Sequence, residues 1–361
     1  MVKLESILRD IEKNHLYDVD TQKAIDKAIA ALLNSVDDPY TYYLTAEEFA
    51  ERTAQKNPTF VGIGVSVDTS SEANAYIIKE VLEGSHLSSL GIKHGDRIVA
   101  ISGQRLTAEN KDALFDSLPG EEGTTVSITF RKADNSEVTY DVERRTIRYS
   151  QVVATVFEDS IGYIRLRSFQ DTSYKDFTNK LTELNLEHNI SALIIDLRGN
   201  GGGSKNVAIK LADLFVPEGL VCQTINKNGT LETDKSHEGY VPYPFVVLVD
   251  GSSASASEIF AGAIQDHGTG KLIGTTTYGK GIVQYAFALS DGSYYQYTAE
   301  QWLTPNGNKI HGVGLTPDIY VEIDKDLQNY IDSQPNLIVS PEVDLQLKAA
   351  IDELLKEISK K

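Results

Sequence analysis

The chain has 361 residues, 41% of them hydrophobic and 24% charged, a composition that suits two or three packed domains and excludes intrinsic disorder. Thirty-four basic against 52 acidic residues give a net charge of −18, which argues against a nucleic-acid partner, because phosphate binding needs basic surface that displaces counterions. The single cysteine, Cys222, excludes an intramolecular disulfide and a multi-cysteine zinc site; following Leu220 and Val221, it reads as a buried structural thiol.

The first fifty residues read as helical. Leu4, Ile7, Leu8 and Ile11 recur at helical spacing, as do Ile25, Ala28, Ile29 and Leu32. Asp20 or Thr21 caps the second helix, and Asp37-Asp38-Pro39 ends it. The two helices are expected to pack on their own core, with pairing to a second subunit as the alternative. No stretch is long and apolar enough to span a bilayer, and Met1 to Glu5 lacks the basic-then-apolar texture of a signal peptide.

From about Thr59 the texture changes to short strands: Val61 to Val67, Tyr76 to Val81, Arg97 to Ile101, then two alternating runs about Val126–Phe130 and Val138–Val142. Ala133-Asp134-Asn135-Ser136 turns the last pair into a hairpin. A helix is expected over Ala108 to Leu118. After Ser150 the pattern becomes α/β, with strands at 161–166, 192–197, 245–249 and 272–273. Helices over Ser204–Phe215 and Ser257–Gln265 follow two of them. Near-continuous apolar strands alternating with helices imply a largely parallel sheet covered on both faces. The tail ends in a helix with Ser340-Pro341 as N-cap and first residue, and Leu347, Ala350, Ile351 and Leu354 on one side.

In open α/β sheets ligands bind beyond the carboxyl ends of the strands, and two such ends are unusual. Asp196-Leu197-Arg198-Gly199-Asn200-Gly201-Gly202-Gly203-Ser204 is a glycine-rich strand-to-helix passage. It departs from the phosphate-loop pattern and matches the dinucleotide fingerprint only imperfectly, and by itself it reads equally as a tight turn. In Ser253-Ala254-Ser255-Ala256-Ser257-Glu258, a serine at a helix mouth lies in the positive end of the helix dipole; the same residues fit a capping box, S-x-x-E. A serine nucleophile needs a base. None of the seven histidines has a suggestive neighbourhood, whereas Lys280 stands between Gly279 and Gly281 ahead of Ile282 and Val283. A lysine is a base near neutral pH only when desolvation lowers its pKa by several units. Gln284 could orient such an amine without adding charge.

Together these motifs resemble the C-terminal processing peptidases, or tail-specific proteases. Ser253 to Glu258 is similar to their nucleophile motif, and Gly279-Lys280-Gly281 with Val283-Gln284 to their lysine motif. The separation, 280 − 255 = 25 residues, also matches. Asp196 to Gly203 resembles their oxyanion loop, Thr304 to Gly307 and His311 to Asp318 the segment that closes their core, and Asp37 to Tyr43 the end of their helical N-terminal region. The β-rich unit is similar to their PDZ domain, with Gly62-Ile63-Gly64-Val65 where a peptide's terminal carboxylate is held and Leu90 to Ile98 as the following turn and strand. Arg144 resembles an arginine that links PDZ position to activity in some members of the family.

The resemblance implies an α/β crotonase-like protease core with an inserted β-rich PDZ domain and helical N- and C-terminal segments: 1–57 helical, 58–148 PDZ, 149–325 protease core, 326–361 C-terminal helical. It implies Ser255 as nucleophile, Lys280 as base, Gln284 as its orienting partner, and the amides of Ala256 and of Gly202 or Gly203 as oxyanion hole, with no metal or other cofactor. Substrates would be unfolded or tail-exposed polypeptides cleaved near their C-termini. A homodimer through the helical ends and a regulatory protein acting through the PDZ domain are the expected partners. The expected location is extracytoplasmic in a bacterium (periplasm or cell surface), with the export or anchor segment outside this sequence and the cytoplasm as the alternative. The competing readings are a catalytically silent PDZ-containing peptide-binding protein and a nucleotide-binding α/β protein.

Overall fold

A computed structural model describes residues 2–56, 59–68, 72–82, 84–148, 151–158, 160–237, 241–333 and 338–360. The chain divides into two compact units. One combines Met1–Ala46 with Gln151–Lys361, and the other is Glu47–Ser150.

The larger unit is built on a six-stranded sheet ordered Val152–Phe157, Ile161–Leu166, Ala192–Asp196, Phe245–Val249, Lys271–Gly274 and Ile319–Tyr320. All neighbours run parallel except the antiparallel first pair. The central strands are apolar throughout because both faces are covered. Leu193, Ile195 and Leu197 pack with helices Ser173–His188, Lys205–Ala212 and Ala256–His267. Ala192, Ile194, Val246 and Leu248 point the other way, onto helix Leu345–Ile358. That helix buries Leu347, Ile351 and Leu354, each contributing about 1.5–3 kcal/mol. Its cap is Asp344, whose Oδ1 accepts from Leu347 N at 3.0 Å, not Ser340-Pro341 as the sequence suggested. The Ser340 carbonyl instead accepts from Val343 and Asp344 in the preceding turn.

A second, antiparallel sheet joins Tyr42–Leu44, Tyr294–Leu303, Gly219–Asn226 and Leu231–Ser236, with Ile282–Ala288 on the other edge of Tyr294–Leu303. Tyr42–Leu44 thereby brings the N-terminal segment onto the strands that follow Lys280. The helices Val2–Asn14 and Thr21–Asn34 form as expected, the second capped by Asp20, which accepts from Lys23 N at 2.9 Å. They do not make the expected core of their own: Leu4, Ile7, Ile11 and Leu32 are exposed, and the second helix has no fully buried residue.

The smaller unit carries a sheet ordered Val65–Asp68, Tyr76–Val81, Arg97–Ile101, Thr125–Arg131, Glu137–Glu143, and a two-stranded ribbon of Thr59–Gly62 with Arg145–Arg148. The run expected as one strand, Val61 to Val67, is broken at Ile63-Gly64, where the chain passes from the ribbon to the sheet. The expected helix over 108–118 is shorter, Lys111–Phe115. Its core is Tyr76, Ile78, Ile98, Ile101, Ile128 and Phe130. The unit starts at Glu47, against the expected 58, and helix Ala46–Lys56 crosses that boundary.

Candidate active site

Strands Ala192–Asp196 and Phe245–Val249 lie side by side, Asp196 opposite Leu248, so the two unusual passages leave the sheet together. They are laced to each other. Gly199 N donates to the Asp250 carboxylate at 3.1 Å, Ser253 Oγ to Leu197 O at 2.8 Å, and Ala254 N and Ser257 Oγ to Asn200 O at 3.0 and 2.8 Å. The fully buried Asn200 is the peg of this junction, its Nδ2 donating to Leu166 O at 2.8 Å.

Ser255 ends the second passage as the N-cap of helix Ala256–His267, with φ 57° and ψ −111°. A non-glycine residue in this region costs about 1–3 kcal/mol and persists where the surroundings enforce it. Here Glu258 enforces it. Its carboxylate, fully buried, accepts from Ser255 N (2.8 Å) and Lys280 N (2.9 Å) on Oε2, and from Gly279 N (2.7 Å) and Thr277 Oγ1 (2.6 Å) on Oε1. The Glu258 half of the capping box read from the sequence is therefore present, yet the same carboxylate also gathers the lysine segment. Tyr278 N adds a bond to Ser253 O at 3.0 Å.

The glycines about Lys280 are required by close packing rather than by freedom alone. A Cβ on Gly281 would stand 2.6 Å from His311 N, and one on Gly279 2.9 Å from Gly314 N. Beyond, Trp302 Nε1 donates to Lys280 O at 2.9 Å. The Lys280 ammonium nitrogen lies 4.6 Å from the centroid of the Tyr40 ring. Gln284 follows in strand Ile282–Ala288, where its Nε2 donates to Thr298 Oγ1 at 3.3 Å.

In front of Ser255 the glycine run makes a bare wall. A Cβ at Gly202, where φ is 101°, would fall 2.6 Å from Ala254 O, 2.9 Å from Ala256 N and 3.0 Å from Ser255 Cβ. The space before the Ala256 amide thus exists only because residue 202 has no side chain. The Gly202 amide itself donates to Asn200 Oδ1 at 2.9 Å, while Gly203 pairs as a bridge with Phe169.

Cys222 and four of the histidines are engaged elsewhere. Burial pushes the Cys222 thiol up to about 12. The rings of His86, His94 and His267 bond main-chain atoms, and His237 pairs with Asp213.

The model of peptidase family S41 matches residues 160–321. Carboxy-terminal processing protease CtpA of Bacillus subtilis (strain 168) is 32% identical over 323 residues, covering 89% of this chain and 69% of its own length. The carboxyl-terminal-processing protease of Synechocystis sp. (strain ATCC 27184 / PCC 6803 / Kazusa) is 34% identical over 334 residues, covering 91% and 76%. The chain belongs to peptidase family S41, among the carboxy-terminal processing proteases. Among solved structures, the photosystem II D1 C-terminal processing protease superposes with a TM-score of 0.52 at 26% identity, covering 89% of this chain and 86% of its own.

In this S41 chain the Asp196-Leu197-Arg198 part of the glycine-rich motif is a buried lock rather than a substrate contact. Arg198 pairs with Asp196 (2.6 Å) and Asp344 (2.8 Å), all three almost fully buried, and Nη1 also donates to Gln346 Oε1 at 3.1 Å. Tyr163 OH donates to Asp196 Oδ2 at 2.6 Å. The loop that faces Ser255 is thus bolted to the cap of the C-terminal helix.

The smaller unit holds the remaining sequence-predicted residues. Gly62 closes the ribbon opposite Arg145, Ile63 is buried with its carbonyl accepting from Ser85 Oγ at 2.5 Å, and Val65 opens an edge strand of the sheet. The Arg144 guanidinium is spent within this unit, on Leu118 O (2.7 Å), Thr124 Oγ1 (3.1 Å), Thr125 O (3.2 Å) and Ser117 O (3.4 Å). Sequence reasoning included Asn200, Thr277 and Tyr40 in its motifs without giving them a role, and gave Glu258 no role beyond that of a cap. The signal for Glu258 was its position three after the serine; nothing in the sequence pairs it with residues 277–280.

Proposed function

We infer that this chain acts as a serine endopeptidase of the carboxy-terminal processing class through a Ser255–Lys280 dyad. The observation that carries the reading is the shared Glu258 carboxylate, which fixes the main chain of both residues at one point beside a side-chain-free wall. Neutral Lys280 takes the proton from Ser255 Oγ as the oxygen attacks the scissile carbonyl. The Ala256 amide, at the positive end of helix Ala256–His267, donates to the developing oxyanion, together with the Gly202–Gly203 strip once its amide turns inward. One such donor is worth about 3 kcal/mol. Lys280 then passes the proton to the leaving amine, which departs; a water deprotonated by Lys280 attacks the ester and releases the acyl chain as an acid, and Ser255 Oγ takes the proton back from Lys280. With Nε2 on Thr298, Gln284 presents Oε1 as the acceptor that orients the amine.

The finer architecture belongs to the same proposal. The core is read as crotonase-like, and the smaller unit as a PDZ domain. In it Gly62, Ile63, Gly64 and Val65 hold the substrate's terminal carboxylate, and the tail adds a strand beside Val65–Asp68, whose outer edge is open in the described sheet. Arg144, by clamping 117–125, fixes the shape of that unit and so the response to a bound tail or to a regulatory protein. The exposed Leu4, Ile7 and Ile11 stripe supports a homodimer through the helical ends. An extracytoplasmic location rests on the family resemblance alone.

Incubation of the protein and of Ser255→Ala with unfolded casein, followed by mass spectrometry, tests the reading. Fragments from the parent alone support it. Intact casein with the parent, even after addition of a peptide with a free apolar C-terminus, favours the catalytically silent binding protein.

A further inference from the structure

Tyr40 is held in place as firmly as the lysine it faces. Its amide donates to Asp38 Oδ1 at 3.0 Å, and its carbonyl accepts from Gln296 Nε2 at 2.7 Å. Thr41 beside it donates Oγ1 to Asp38 Oδ2 at 2.6 Å and accepts from Thr298 N at 3.2 Å. Gln296 and Thr298 belong to strand Tyr294–Leu303, the same strand whose Trp302 holds the Lys280 carbonyl. One strand therefore fixes the main chain that carries the ring and the main chain that carries the amine, 4.6 Å from the ring centroid. The Tyr40 hydroxyl meets that of Tyr278 at 3.5 Å.

The hydroxyl is no competitor for the proton. Its hydrogen bond with Tyr278, then burial and the nearby Asp38 and Glu258 charges, push the Tyr40 phenol up to about 12. It stays neutral wherever a lysine base would work. An aromatic face excludes water from one side of an amine and returns only part of the lost hydration, about 0.5–2 kcal/mol. A carboxylate in that place would return far more and keep the ammonium charged.

We propose that Tyr40 is a positioning residue for the dyad: a neutral aromatic cover, delivered by the N-terminal segment, that keeps water off Lys280 and so holds part of its amine neutral at working pH. The titratable groups around it are Glu258, which holds the Lys280 amide, Asp38, which accepts from the Tyr40 amide, Tyr278, whose hydroxyl meets that of Tyr40, and His311, which lies against Gly281 and acts on Asp38. Asp38 and Glu258 are both tied by main-chain and hydroxyl donors, which blunts their hold on the amine.

The inference rests on the dyad reading for its purpose but not for its test. The titration of Lys280 is read directly by reductive methylation at a series of pH values, with the modified peptide quantified by mass spectrometry, in the parent, Tyr40→Phe and Tyr40→Ala. Tyr40→Phe keeps the ring and the parent midpoint. Tyr40→Ala admits water and raises the midpoint by at least about one pH unit, a tenfold loss of neutral amine below it. The acidic limb of kcat/KM on casein moves by the same amount. Should Tyr40→Ala melt early, Tyr278→Ala at an exposed position loosens the same cover and moves the midpoint up by less. An unmoved midpoint in both variants, or a fall on losing the ring, overturns the inference. A shifted midpoint together with full activity in Lys280→Ala would instead sink the dyad and leave the cover standing.

Discussion

Ser255 and Lys280 donate their main-chain N–H groups to one atom, Glu258 Oε2, at 2.8 and 2.9 Å. The proposed nucleophile and base are thus tied together at their main chains through a buried carboxylate.

Glu258→Gln replaces one acceptor oxygen by an NH₂ group that confronts main-chain donors. Each buried donor left unsatisfied costs about 1–3 kcal/mol, and a misplacement of the dyad by about 1 Å costs on the order of 100-fold in rate. The expected result is a melting temperature several degrees lower and kcat/KM on casein reduced about 100-fold or more. Parent-like values in both measurements would remove Glu258 from the account.

Gly202→Ala places a methyl 2.9 Å from the Ala256 amide, in a backbone region that strains any side chain. The expected loss is about 100- to 1000-fold in kcat. Gly201→Ala, where nothing lies within 4 Å of the new Cβ, is the matched control and keeps most of the activity. Equal losses in both would show that the loop tolerates no change, rather than that the space before Ala256 matters.

Arg198→Met leaves two buried carboxylates, Asp196 and Asp344, without their cation, a change that costs about 3–5 kcal/mol. Burial alone would raise the Asp196 pKa, but the Arg198 charge and hydrogen bonds outweigh it and hold the carboxyl below its ordinary value. A lowered folded value contributes stability above the unfolded pKa, near 4, that is lost as pH falls through the folded one. In the variant burial is opposed only by the Arg165 charge and the Tyr163 hydrogen bond, Asp196 is raised, and its contribution is lost as pH rises through that higher value. Melting curves of parent and variant should therefore converge toward pH 4 and separate toward pH 7. A gap independent of pH would contradict the buried-pair assignment.

Cys222 is fully buried, and burial pushes its thiol up to about 12. A disulfide-exchange reagent at pH 8 is expected to leave the folded protein untouched and to titrate one thiol after denaturation. Rapid reaction in the native state would show that the strand Gly219–Asn226 opens.

The core sheet was legible because its strands are apolar on both faces, and the segments of the proposed dyad were because Ser255 and Lys280 stand in short, recognisable contexts. The second sheet was not: Tyr294–Leu303 mixes Gln296, Thr298 and Glu300 among aromatics, so neither alternation nor a continuous apolar run marks it. What it positions was hidden with it. Tyr40 reads as a residue at a helix end until Tyr42–Leu44 is seen paired against Tyr294–Gln296. The tail cap was misplaced for a related reason, since Asp344 is chosen by Arg198 from across the core, whereas Ser340-Pro341 offers only local chemistry. The helical N-terminus shows the opposite case, a local pattern without a local core.

The most direct test of the Ser255–Lys280 mechanism is the rate of casein cleavage by Lys280→Ala and Ser255→Ala beside the parent, each first shown to melt at the parent temperature. The account predicts fragments from the parent only, with both variants at background. Cleavage by Lys280→Ala at more than about a hundredth of the parental rate, with Ser255→Ala silent, would contradict it and assign the base to another group.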